Sequence, residues 1–327
     1  SRALIDKDAI YSAEGGVITT AGSRVIGGIV PFAGEYGISK DPQSFAVYGY
    51  RKYFTDRKRN AVLRLTTNGQ IVEISGYGMH DYFRDRLSEV DTSGNSIVNK
   101  VVGGFDEHTK TYALSIQYSQ NISELNNKDY TTTSFDESVQ GWTSFYDYKP
   151  TLMASLNSSF YSFHLGKPWK HYQNTVNVDN SFGNFYGQFY DSNVTVILNS
   201  DPSVVKNFKT INYEGAAGWE LESMIASSSD STLPIGAFVH ATTMQALEDQ
   251  LFSLNFKQKE NKFFANLQQP VSVNAGQAGE VVWGADMSGL KGFWSTVKMK
   301  LNNSLTTNQN TKRELFSVAS TTAESSY

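Results

Sequence analysis

Large and polar residues alternate in short runs along most of this chain. "YGYRKYFTD" (48–56) and "AVLRLTTNG" (61–69) both show it, with the period of a half-buried strand. The charged stretch "DRKRN" between them reads as a hairpin tip. Strands are expected near Tyr50–Thr55 and Ala61–Thr66, with Arg57–Asn60 as the exposed tip. Asn68-Gly69 is a strong tight-turn signal, and "IVEIS" (71–75) supplies a third strand, so the segment predicts a meander. The pattern returns in "GGFDEHTKTYALSIQ", "NSSFYSFHLGKPWKHY" and "NFKQKENKFFANLQ". A unit of roughly 40–50 residues is the period expected of β-propeller blades. Irregular sandwiches would give similar strands. The expected class is all-β: propeller-like blades of antiparallel meanders with a few short helices. A propeller-like region is expected over 1–225, with a C-terminal β region over 226–327 packing on it.

Three stretches have helical spacing. "YGMHDYFRDRL" places Met79, Tyr82, Phe83 and Leu87 near one face. "SDPSVVKNFKTI" offers Ser200 or Asp201 as a cap and Pro202 in the first turn, then Val204, Val205, Phe208 and Ile211 at helical intervals. "ATTMQALEDQLF" aligns Met244, Leu247 and Leu251. Near the C-terminus, "GFWSTVKMKL" points Phe293, Val297, Met299 and Leu301 to one side, with Ser295 as the weak member. Lys298 and Lys300 fall on the other side. Gly292–Leu301 and Glu314–Ala319 are expected to form a hairpin across a long polar loop.

Composition supports the β reading. Charged residues make up 18% and aromatics 13% of the chain, and a mix rich in Tyr, Phe, Thr, Ser, Asn and Gly favours strands and turns. The formal net charge of −4 gives no global basic field to attract nucleic acid. The absence of cysteine rules out disulfides, thiolate metal sites and a cysteine nucleophile. No apolar run reaches the roughly 18 residues of a membrane-spanning helix, and no signal peptide is evident. The first residue is not Met, which suggests processing or the end of a longer polypeptide.

Candidate chemistry is sparse. Arg57, Lys58 and Arg59 at the hairpin tip could contact phosphate, but charged runs are more often solvated turns. Trp142 and Trp169, with Tyr172, are candidates for a glycan-stacking platform, against the commoner reading of buried aromatics. None of the five histidines has the helical spacing to a Glu that a zinc site shows. His164 and His171 would need to meet on adjacent strands to bind metal. Asp81, Arg84 and Asp85 read as a salt-bridged surface helix rather than an acid/base pair. "SFDESVQGWTSF" only weakly matches the Asp-box turn of sialidase propellers. A nucleophile elbow and a phosphate loop are both absent from the sequence. The expectation is therefore no catalytic residue, no metal, no cofactor and no enzymatic activity. A propeller glycosidase would need two carboxylates about 5–10 Å apart in a cleft.

Taken in order, several longer motifs resemble one family. They are "GEYGISKDPQSFAVYGYRKYFTDRKRNAVLRL", "YGMHDYFRD", "GGFDEHTKTYALSI", "QGWTSFYDYKP", "SSFYSFHLGKPWKH", "DPSVVKNFKTINYEG", "GLKGFWSTVKMK" and "ELFSVAS". The series resembles virion structural proteins of tailed bacteriophages, including those of marine cyanophages and the tail muzzle of crAss-like phages. The resemblance runs from about Val25 to the C-terminus, and in the family the matching region is the C-terminal part of a longer chain. It implies a tail or tail-tip component, muzzle- or nozzle-like, that lines or gates genome exit. Its implied partners are copies of itself in a symmetric ring, other tail proteins and, transiently, phage DNA. Its implied location is the virion tail, after assembly in the bacterial cytoplasm. The alternative is a host-surface glycan-binding module of a phage tail.

Overall fold

The computed structural model of the protein describes residues 2–3, 8–11, 17–20, 29–32, 34–92, 99–118, 130–173, 182–227, 237–239, 256–267, 290–301 and 312–325. Two units divide the chain, Ser1–Tyr172 and Gln173–Tyr327. The boundary expected near 225 falls inside the second. Among the described residues the protein is all-β with one α-helix.

The first unit begins with short strands β1 (Arg2–Ala3), β2 (Asp8–Tyr11), β3 (Val17–Thr20) and β4 (Ile29–Val30), paired β1–β4 and β2–β3. Three antiparallel meanders follow. The first is β5 (Ala46–Tyr48), β6 (Arg51–Asp56), β7 (Ala61–Leu65) and β8 (Ile71–Glu73). Helix α1 (His80–Thr92) comes next. The second meander is β9 (Lys100–Asp106), β10 (Thr111–Gln117), β11 (Tyr130–Asp136) and β12 (Gly141–Tyr146). The third is β13 (Leu152–Leu156), β14 (Ser159–His164) and β15 (Lys167–Lys170). The meanders succeed one another as blades would, but the described elements do not close into a propeller.

Helix α1 forms where the 3.6-residue pattern predicts. Phe83, Leu87 and Val90 are buried against Tyr53, Val62 and Ile74 of the first meander region and Val101, Leu114 and Phe135 of the second. Its outer face carries the Arg84–Asp81, Arg84–Asp85 and Arg86–Glu89 ion pairs. Two adjacent glycines set the spacing of the second meander. A Cβ on Gly103 would overlap the Ser44 carbonyl, and one on Gly104 would lie 2.6 Å from Met153 Cβ. Alternate residues of a strand face opposite ways, so β9 admits the 3-10 turn Pro42–Ser44 on one side and β13 on the other.

The second unit is a sandwich. Its small hairpin β16 (Asn184–Phe185) and β17 (Gln188–Phe189) precedes β18 (Ser192–Leu198), β19 (Lys206–Gly215), β20 (Glu220–Ala226) and β21 (Ala237–Val239). The remaining strands are β22 (Lys257–Lys259), β23 (Lys262–Asn266), β24 (Leu290–Gly292), β25 (Ser295–Leu301) and β26 (Leu315–Glu324). One sheet has the order β18-β25-β20-β21; the other has β22-β23-β19, with β24 and β26 also pairing β19. Phe208, Ile211 and Tyr213 of one sheet meet Leu221, Met224, Val297 and Met299 of the other in a single core.

Two expectations are corrected here. The helix expected over 200–211 is a turn, in which Val204 N–H donates to the Asp201 carbonyl, followed by strand β19. A bulge at Lys209 explains the misreading. The register shifts between Phe208 and Thr210, so Phe208 and Ile211 both face the core. One extra residue in a strand thus imitates helical i, i+3 spacing. The expected C-terminal hairpin does not form either. β25 already has β18 on one edge and β20 on the other, so it has no edge left for β26, which pairs β19 instead. The facing of β25 is as expected, with Val297, Met299 and Leu301 buried, and Ser295 is buried with them. The helix expected through Met244, Leu247 and Leu251 lies outside the described residues.

Candidate functional surfaces

The basic tip is one instance of a repeated turn. Three hairpins end their first strand on Asp and place the fourth residue after it at positive φ: Asp56 with Asn60 (53°), Asp106 with Lys110 (62°), and Asp136 with Gln140 (51°). Each Asp carboxylate accepts from backbone N–H groups inside its own turn: Arg59 for Asp56, His108 and Thr109 for Asp106, and Ser138 for Asp136. This capping replaces hydrogen bonds the tight turn cannot make. The other turn residues are then free to vary, and in "DRKRN" they are basic. Aligning "FTDRKRNA", "GFDEHTKT" and "SFDESVQG" exposes the repeat in the sequence.

Carboxylates surround this tip. Arg57 Nε lies 3.1 Å from Asp41 Oδ2, with both side chains nearly buried. Arg59 is shared between Asp56 and Glu35. Lys58 is exposed. Burial pushes the Asp56 carboxyl up. Hydrogen bonds from the Ser39 hydroxyl and the Gly37 and Arg59 N–H groups, with the Arg59 charge, outweigh it and hold the carboxyl below the usual range. The expected exposed tip is therefore exposed at Lys58 and Arg59, while Arg57 is a structural partner. Arg57→Ser is expected to cost about 2 kcal/mol by removing its nearly buried ion pair with Asp41, and Lys58→Ser about 0.5 kcal/mol or less. Equal midpoints for the two variants in urea denaturation would contradict this.

Trp142 and Trp169 lie in different sheets, on β12 and β15. Trp142 Nε1 donates to the Ile74 carbonyl at 3.0 Å, and its ring packs on Phe83 and Phe135. Trp169 lies on β15 opposite Ser162. Tyr172 stacks on His108 and donates to Asp106 Oδ2 at 2.6 Å.

Nor do His164 and His171 converge. His164 pairs with Lys167 at the hairpin tip, while His171 follows β15 at its far end, its N–H on the Phe160 carbonyl. His80 is exposed beside Asp81, and His240 lies outside the described residues. No group of three His, Cys, Asp or Glu among the described residues is placed to hold a metal ion. His171 Nε2 sits 2.7 Å from Ser162 Oγ, the separation of a base and a nucleophile. Ser162 is fully buried, however, so substrate has no access to it.

The same burial gives His171 a pH effect. Its imidazole is enclosed by Tyr148 and Phe160, and burial, opposed by the Asp106 charge, pushes its pKa down to about 4. Unfolded histidine titrates near 6.5. Between those values the unfolded chain binds a proton that the folded chain refuses, so stability falls as the solution is acidified. The loss approaches about 3 kcal/mol by pH 4. Urea midpoints for wild type and His171→Gln between pH 7 and pH 4.5 should differ in slope, the wild type falling more steeply; parallel curves would refute it.

The second unit is where the chain meets a known family. Residues 180–270 match the family model described as the Crassvirus muzzle protein C-terminal domain. That span runs from before β16 to just past β23 and contains well under half of the chain. No curated protein matches the sequence. Through residues 180–270 the chain is similar to the muzzle proteins of crAss-like phages, and the family resemblance read from its sequence is shown there.

Proposed function

We propose that this chain is a structural component of a phage tail, at or near the tail tip, where it lines or gates the genome exit. The observation that carries the proposal is the muzzle-domain match over 180–270. The fold is compatible with a load-bearing role, because the described residues are mostly cross-linked antiparallel sheet. In this reading the chain works by assembly, with other tail proteins and with copies of itself, rather than by catalysis. A mild negative charge suits a passage that must not hold DNA tightly. No helix among the described residues is long and apolar enough to cross a membrane. Immunogold labelling of purified particles with antibody to the 173–327 unit tests the proposal. Label at the distal end of the tail is expected; label confined to the capsid, or particles without the protein, would overturn it.

A further inference from the structure

The β19 sheet has two outer strands of opposite character. On one side is β22, whose three residues Lys257, Gln258 and Lys259 are all exposed. Lysines on an edge strand oppose pairing with another chain, because adding a strand would crowd and desolvate them. On the other side is β26, ten residues reading "LFSVASTTAE". It contains no Lys, Arg or Pro, and its one charge, Glu324, is its last residue. One edge of β26 pairs β19 along its length. Among the described residues, no strand pairs the other. Its exposed positions Ser317, Ala319 and Thr321 are small, so a neighbouring backbone could approach closely. Phe316, extruded where the register shifts, is 72% exposed.

We propose that the free edge of β26 pairs antiparallel with β26 of a second copy of this chain, continuing the sheet across a two-fold axis. Backbone addition at an open edge needs an extended partner strand with unpaired N–H and C=O groups, and β26 is itself such a strand. Charge selects the direction. The chain enters β26 through Lys312, Arg313 and Glu314, net one positive charge, with Lys312 paired to Glu314 and Arg313 donating to the Ala217 carbonyl, and leaves at Glu324. Antiparallel pairing sets each positive entry beside the partner's Glu324. Parallel pairing would set Glu324 beside Glu324, and like charges directly opposite are destabilising. Such a contact is isologous and closes as a pair; a larger ring would need a second surface. The inference goes beyond the tail assignment, since it concerns the isolated chain and its test uses no particle.

The test uses the 327-residue chain, whose lack of cysteine leaves no background thiol. Sedimentation equilibrium should show a dimer at micromolar concentration. Ala319→Cys, at the middle of β26, should form a disulfide-linked dimer on mild oxidation, and Gln258→Cys on the lysine-flanked edge should not. Ala319→Lys with Thr321→Lys, which copies the guard of β22, should weaken dimerisation at least tenfold with an unchanged far-ultraviolet spectrum. If the double lysine variant misfolds, the cysteine pair decides. A monomer at every concentration would overturn the proposal. So would a dimer indifferent to both lysines, or equal cross-linking from residues 258 and 319.

Discussion

Truncation after Leu301 is expected to leave the second unit unfolded. The deletion removes β26, which covers one whole edge of β19 from Lys206 to Gly215. It also strips Leu315 and Val318 from the sandwich core. Lost burial and lost ladder together cost on the order of 5 kcal/mol, comparable to the whole stability of many domains. The truncated chain should aggregate through the bared β19 edge. A fragment of residues 180–270, the span of the family match, should fare no better. It lacks β25, the strand that sits between β18 and β20, so that sheet has no middle. A fragment of residues 173–327 should fold. Calorimetry of the three fragments separates the cases: a cooperative transition from the 180–270 fragment, or an unchanged melting temperature after truncation at Leu301, would show that the C-terminal strands are appendages.

Replacing Gly103 by Ala is expected to be the most damaging single substitution in the first unit. The new Cβ would collide with the Ser44 carbonyl and lie 2.7 Å from the Tyr112 hydroxyl. Neither neighbour can retreat easily. Ser44 is fully buried, its hydroxyl donating to the Asp41 carbonyl and accepting from Thr55 N–H. Its carbonyl accepts from the Tyr112 hydroxyl at 2.7 Å. Tyr112 is in turn stacked on Tyr53. A methyl group forced into that lattice should cost about 3 kcal/mol or more. Gly141→Ala is the control. Its nearest neighbour to an added Cβ is the Val139 carbonyl at 3.8 Å, so a change of about 1 kcal/mol or less is expected. Matching urea midpoints for the two variants would remove the packing argument.

Most strands of the first unit were legible because their cues are local. Tyr53, Leu63 and Leu65 keep the period of two, and Phe83 and Leu87 keep the period of 3.6. The charged turns mark where the chain reverses. The candidate sites were less legible. Arg57 reads as solvated basic charge beside Lys58 and Arg59, and only the fold brings up Asp41, sixteen residues earlier, as its partner. Trp142 reads as a platform candidate against the commoner reading of core, and only the fold puts the Ile74 carbonyl at its indole nitrogen. The Asp turn repeat is local and therefore readable, as the alignment of the three segments on Asp56, Asp106 and Asp136 shows.

By itself the sequence determined the conformation of most described segments and, for most strands, which face turns inward. Local sterics, turn chemistry and side-chain alternation set those, and all act within a few residues. Tertiary structure decided partners. β25 is held between β18 and β20, and β26 crosses to β19 in the opposite sheet. Nothing in "STVKMKL" or "LFSVASTTAE" distinguishes these pairings from a simple hairpin. The entropy of closing a loop grows only logarithmically with its length. A distant strand is therefore hardly penalised against a near one, and the choice falls to whichever arrangement buries Val297, Met299, Leu315 and Val318 together in one core.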